Sequence, residues 1–113
     1  MASLSLRIVL DTGGRIGPGK VGLLEHIDAC GSIAEAARRM GMSYKRAWDL
    51  VEEMNSIFGK PAVETQKGGP GGGGARLTPA GRAVVDRFRA IEEAALTAAA
   101  AEMAALLKEI GEG

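Results

Sequence analysis

From Leu4 to Leu10 apolar side chains recur at every second position, Leu4, Leu6, Ile8 and Leu10, with Ser5, Arg7 and Val9 between them. A period of two predicts a strand with one buried face, which Asp11-Thr12-Gly13-Gly14 ends. After Pro18 the period changes. Val21, Leu23, Leu24 and Ile27 form the stripe of a helix that opens at Pro18, a residue tolerated in a first turn, and stops at Gly31. Ser32 then caps a short helix with Ile33, Ala36, Ala37 and Met40 inside, and Glu35 three residues on predicts a reciprocal capping box. Gly41-Met42 turns the chain and Ser43 caps the next helix. Ala47, Leu50, Val51, Met54 and Ile57 or Phe58 line its core side as far as Gly59-Lys60-Pro61.

Ala62 to Gln66 reads as a short strand with Val63 and Thr65 on one face and Glu64 on the other, and Ala75-Arg76-Leu77 as its antiparallel mate. The connection is long for a tight turn, so the hairpin signal is weak by itself. That connection is KGGPGGGGAR, six glycines held between Lys67 and Arg76. Thr78-Pro79 supplies an N-cap and a first-turn proline, and the helical pattern then runs to about Ile110, about 45 Å at roughly 1.5 Å per residue. Val84, Phe88, Ile91 and Ala95 form one seam; Leu96, Ala99, Met103, Leu106 and Ile110 continue it, shifted by one residue. So long a helix outruns the domain it starts in, and its far end is expected to pack on its own copy. The alternative is an alanine-rich end of good propensity that frays without a partner.

The 113 residues fit one domain with a small core. MASLSLRIVLD has no basic segment ahead of an unbroken apolar stretch, and the run from Ala94 to Leu107 is interrupted by Glu102, so neither a signal peptide nor a membrane span is expected and a cytoplasmic location fits. Cys30 is the only cysteine, which excludes an intrachain disulfide; it reads as a small buried residue at a helix end. With His26 it gives too few ligands for a metal, and one histidine without a suitable nucleophile cannot build a hydrolytic triad. No enzyme, cofactor or metal is expected. Gly14 to Lys20 fits most of a phosphate-loop pattern, but Val21 stands where a hydroxyl would hold Mg²⁺, and a plain turn explains it.

Formal charge is zero, yet the charges are segregated. Arg38, Arg39, Lys45 and Arg46 fall within nine residues free of acids, and Lys60, Lys67, Arg76, Arg82, Arg87 and Arg89 follow, whereas the last two dozen residues are acidic. A basic middle with an acidic tail describes a polarised molecule that can address a polyanion. The basic segment coincides with GSIAEAARRMGMSYKRAWDLVEEMN, two capped helices joined at Gly41, the pattern of a helix-turn-helix. Its second helix opens with Ser43, Tyr44, Lys45 and Arg46, where a recognition helix meets base edges. Glu52 and Glu53 lie two turns on and would be repelled by phosphate, so only the first half enters a groove. Asp49, four residues from Lys45, either holds that lysine or accepts from a cytosine amino group. Ser32 and Ser43 at helix N-termini would position phosphates, and Lys67 and Arg76 would flank a loop whose bare amides approach the backbone. Tyr44 and Trp48 read better as packing at the helix edge than as stacking on bases.

That stretch, followed by GGPGGGGARLTPAG, resembles the N-terminal DNA-binding domain of ModE-type molybdate-responsive transcription regulators, a LysR-like winged helix-turn-helix, over nearly the whole chain. The resemblance implies a mainly α fold with a small antiparallel β wing. Residues 1–77 would form the DNA-binding unit, with the helix-turn-helix at about 32–58 and the wing at about 62–77, and 78–113 a long dimerisation helix. It also implies a homodimer joined through its helical terminus, with Ser43, Tyr44, Lys45 and Arg46 in the major groove of double-stranded DNA and the glycine-rich wing along the backbone. Together with the residue reading above, the expected DNA contacts are Ser32, Ser43, Tyr44, Lys45, Arg46, Asp49, Lys67 and Arg76, the dimer contacts Phe88, Ile91, Leu96, Met103, Leu106 and Ile110, and the targets molybdenum or related metal-oxyanion genes. Full-length members continue into a molybdate-binding region, whereas this sequence stops at Gly113. Either a stand-alone member has lost effector sensing, or a separate effector-binding partner supplies it, or the chain is a fragment. A protein-interaction module that holds another regulator through the long helix is the competing reading.

Overall fold

The computed structural model describes residues 2–69 and 72–111, without the side chains of 67–69, 72 and 73. Eight elements follow in order: β1 (Ile8–Val9), β2 (Arg15–Ile16), α1 (Pro18–Cys30), α2 (Ile33–Arg39), α3 (Tyr44–Phe58), β3 (Val63–Gly69), β4 (Gly72–Leu77) and α4 (Pro79–Glu109). This is a winged helix-turn-helix with a long C-terminal helix. The core forms where α1 meets α2, α3, β4 and the root of α4. Val21, Leu23, Leu24 and Ile27 of α1 are fully buried there, against Ala36, Ala47, Val51, Met54 and Phe88. Small Ala36 and Ala47 let the helices approach closely.

Local chemistry sets the helix boundaries. The hydroxyls of Ser32, Ser43 and Thr78 accept from the amides of Glu35, Arg46 and Gly81 at 3.0–3.1 Å, each satisfying a first-turn donor that the helix leaves without a partner. The capping box expected at Ser32 is only half made, because the Glu35 carboxylate turns outward to Arg38 and Arg39. Gly31 closes α1 in the left-handed conformation, φ 69°, and its carbonyl accepts from Ala75 N at 2.9 Å. One glycine thus ends a helix and moors the wing.

The N-terminal strand is shorter than its alternation predicts. Only Ile8 and Val9 pair, antiparallel with Ile16 and Arg15, through a turn in which Leu10 N donates to Gly14 O at 2.8 Å. The wing extends further into the glycine segment than predicted, with Val63 opposite Leu77, Glu64 opposite Arg76, Thr65 opposite Ala75 and a register shift between Gln66 and Gly69. Glycine amides continue the ladder where no side chain contributes.

α4 leaves the wing through Thr78, which donates its hydroxyl to Pro61 O at 2.7 Å and its amide to Ala62 O at 3.0 Å. Gly81, Val85 and Phe88 are its buried residues, so Phe88 of the predicted seam faces inward while Val85, and not the half-buried Val84, completes that face. Beyond Glu92 no residue of α4 is buried, and the molecule measures 58 Å along its longest axis. Two ion pairs fix the root of α4 to α1: Arg82 with Asp28, and Arg89 with Glu25 through Nη2 at 2.6 Å and Nε at 3.1 Å. The guanidinium of Arg89 also donates to Glu92 at 2.6 Å. Hydrogen bonds from Arg89 hold the Glu25 carboxyl below its ordinary range, and Glu25 in turn stabilises the charged guanidinium.

Candidate nucleic-acid interface

α2, α3 and the wing converge on a cleft of about 330 Å³ lined by Ser32 and Ala34 of the α2 end, Tyr44 and Trp48 of α3, and Thr65 and Ala75 of the wing. Its position follows from strand alternation: Val63, Thr65, Ala75 and Leu77 face the helices, while Glu64 and Arg76 lie on the opposite wing face. Tyr44 is 55% exposed and meets the half-buried Trp48 edge-on, with centroids 6.2 Å apart and planes at 75°. Trp48 packs on the core and buttresses Tyr44 at the cleft mouth.

Ser43, Tyr44, Lys45 and Arg46 are all exposed at the open end of α3. Their cations differ in what already holds them. Lys45 Nζ lies 3.0 Å from Asp49 Oδ2, and Arg76 Nε lies 3.1 Å from Glu64 Oε2. Arg46 engages no carboxylate among the described residues. Ser32 and Ser43 use their oxygens as caps, which leaves each hydroxyl proton to donate. Lys67's side chain lies outside the described residues.

Charge segregation along the sequence is partly undone in three dimensions. Arg38 and Arg39 meet Glu35, and Arg82 and Arg89 meet carboxylates of α1, so these four belong to the fold's own electrostatics. Only Glu35, three and four residues ahead of Arg38 and Arg39, was a signal within reach along one helix; Asp28 and Glu25 meet their arginines across helices. Lys20, in the first turn of α1, is likewise engaged, donating to Arg15 O at 2.7 Å and pairing with Glu53 at 2.8 Å. The Cys30 thiol is half-buried and donates to His26 O at 2.9 Å.

On α4 the residues expected at a dimer seam separate. Phe88 is only 2% exposed and belongs to the protomer's own core. Ile91, Leu96, Leu106 and Ile110 are 44–61% exposed, and Met103 is intermediate. Ile91 also borders an apolar groove of about 230 Å³ between β1, β2 and α4, lined by Ile8, Ile16, Val84 and the edge of Phe88. No helix among the described residues is long and apolar enough to cross a membrane.

Comparison with known proteins agrees with this geometry. The chain is similar to the molybdenum-pterin-binding protein MopB of Rhodobacter capsulatus, 49% identical over 86 residues, 75% of this chain and 32% of that protein. It is 42% identical over 88 residues to the molybdenum transport protein ModE of Azotobacter vinelandii, 76% of this chain and 33% of that one. With the DNA-binding transcriptional dual regulator ModE of Escherichia coli K12 it shares 44% over 71 residues, 63% of this chain and 27% of that one. The chain therefore spans about a third of the curated relatives it matches. The family model for the bacterial regulatory helix-turn-helix protein, lysR family, matches residues 20–82, from α1 through the wing to the start of α4. That match covers more than half of the 113 residues, and the chain belongs to this LysR-type family of bacterial regulatory helix-turn-helix proteins.

Proposed function

We propose that this chain is a sequence-specific, DNA-binding transcription regulator of the ModE type that binds pseudo-palindromic duplex DNA as a homodimer. The observation that carries the reading is the exposed α3 terminus, Ser43 to Arg46, set beside a wing moored to the same core. A helix end of this kind fits the major groove, and the wing lies along the adjoining backbone. Tyr44, Lys45 and Arg46 read bases, with Asp49 either holding Lys45 or accepting from cytosine; Ser32 and Ser43 position phosphates, and Lys67 and Arg76 hold the wing along the backbone. Residues 1–77 make up the reading unit, and 78–113 join two copies through Ile91, Leu96, Met103, Leu106 and Ile110. Relatives named for molybdenum transport and molybdenum-pterin binding point to metal-oxyanion genes as targets and to an effector sensed by another chain or region. Such a protein works in the cytoplasm.

Selection of bound sequences from a random duplex pool tests this directly. The expected product is a pair of inverted half-sites about one helical turn, roughly 34–36 Å, apart or a multiple of it. Recovery of unselected sequence would leave the exposed α4 seam as the functional surface and favour the protein-interaction reading.

A further inference from the structure

The ion pair between Lys45 and Asp49 runs against the electrostatics of its own helix. Lys45 sits in the first turn of α3, where the helix dipole disfavours a cation, and Asp49 follows one turn later. An acid preceding the base would suit helix stability better. Both side chains are well exposed, at 84% and 54%, so the pair holds up no packing. Neighbouring Arg46 has no such tether among the described residues. A flexible lysine that is anchored, beside an arginine that is not, is a lysine whose direction is being set.

We propose that Asp49 is a specificity-determining positioning residue: it keeps Lys45 aimed along α3 toward base edges and away from the neighbouring phosphates. The proposal rests on the DNA-binding reading above. Lys45 is a point charge on a four-carbon stem and can reach either target. Contact with phosphate is sequence-independent and contact with guanine O6 or N7 is not. Held by Asp49, Lys45 gains little from an arbitrary duplex, since reaching phosphate means giving up its carboxylate. On the correct site it donates to a base while still paired. The tether therefore lowers random binding more than specific binding.

The test compares binding to a selected duplex and to a random duplex of equal length across a salt series. Asp49→Asn is expected to tighten random binding about three- to tenfold in low salt and to steepen the salt slope by about one unit, as one freed cation should. Affinity for the selected duplex changes less, so the ratio of the two falls. Asp49→Glu, which keeps the charge, restores the ratio. In a Lys45→Met background Asp49→Asn loses most of its effect. Glu64→Gln, which frees Arg76 at the base of the wing, raises both affinities alike and leaves the ratio standing. If Asp49→Asn instead weakens only the selected duplex and shifts preference at one base pair, Asp49 reads cytosine itself and the proposal is overturned. An unchanged ratio overturns it too. Absence of any duplex binding by the unaltered protein would refute the underlying DNA-binding reading, a result distinguishable from both.

Discussion

Replacing Gly81 with alanine is the sharpest perturbation of the joint between wing and long helix. A Cβ built on Gly81 overlaps the carbonyl oxygen of Ala62 outright and lies 3.1 Å from its carbon and 3.3 Å from its Cα. Those are backbone atoms, and no rotamer can relieve them. The same Ala62 carbonyl accepts from Thr78 N, and Ala62 N donates to Asn55 Oδ1 at 2.8 Å, so moving it disturbs the end of α3 and the start of α4 together. Overpacking costs about 1–3 kcal/mol, and a weakened buried hydrogen bond adds about 1 kcal/mol. Against this, alanine is favoured over glycine inside a helix by about 1 kcal/mol. The balance is a loss of about 1–3 kcal/mol, which for a domain of this size lowers Tm by roughly 4–8 °C per kcal/mol. Urea and thermal unfolding followed by circular dichroism measure it directly. Equal or greater stability of the variant would refute the close approach and, with it, the rigid seating of α4 on the wing.

Other expected outcomes concern the site and its supports. Arg46→Ala should cost about 1–3 kcal/mol on a selected duplex and relax preference at one base pair, read by competition among single-base variants. Leu106→Glu places a charge in the exposed seam of α4, and analytical ultracentrifugation should show dimers turning to monomers while the melting of the winged core is retained. Glu25 has a folded pKa below its ordinary value of 4.5 because Arg89 donates to it; its contribution to stability is therefore complete above about pH 4.5 and lost as pH falls through the lowered value. Glu25→Gln should reduce Tm at neutral pH and flatten its decline in acid, whereas parallel wild-type and variant curves below that pH would exclude the pair as a source of the decline.

Much of this fold is legible in the sequence because the deciding chemistry is local. Ser32, Ser43 and Thr78 cap their helices within three residues, and the stripe from Ala47 to Met54 records a period that needs no knowledge of the partner. What escaped depends on elements crossing. Pairing of Ile16 with Ile8 follows from the hairpin's docking on the core, since two residues have too little pattern of their own. Arg89 and Glu25 are 64 positions apart and meet only because α4 returns across α1. That meeting converts a cation of the apparent DNA-binding run into a structural one. Phe88 fits the α4 seam by spacing, but the helix is rooted deeper than spacing shows, and its first apolar layer is consumed by the protomer. The exposure of Ser43 to Arg46 could be read as early as the core stripes, since residues at a helix end owe their position to that helix alone.

Duplex binding by this formally neutral chain is proposed to rest on the cationic, groove-fitting end of α3. Fluorescence anisotropy with a labelled duplex, titrated between about 50 and 200 mM salt, tests it most directly. The expected result is saturable binding by two chains per duplex, with log affinity falling linearly against log salt and a line shallower by about one unit for Lys67→Ala. Affinity that does not respond to salt, or no binding at the lowest concentration, would contradict it.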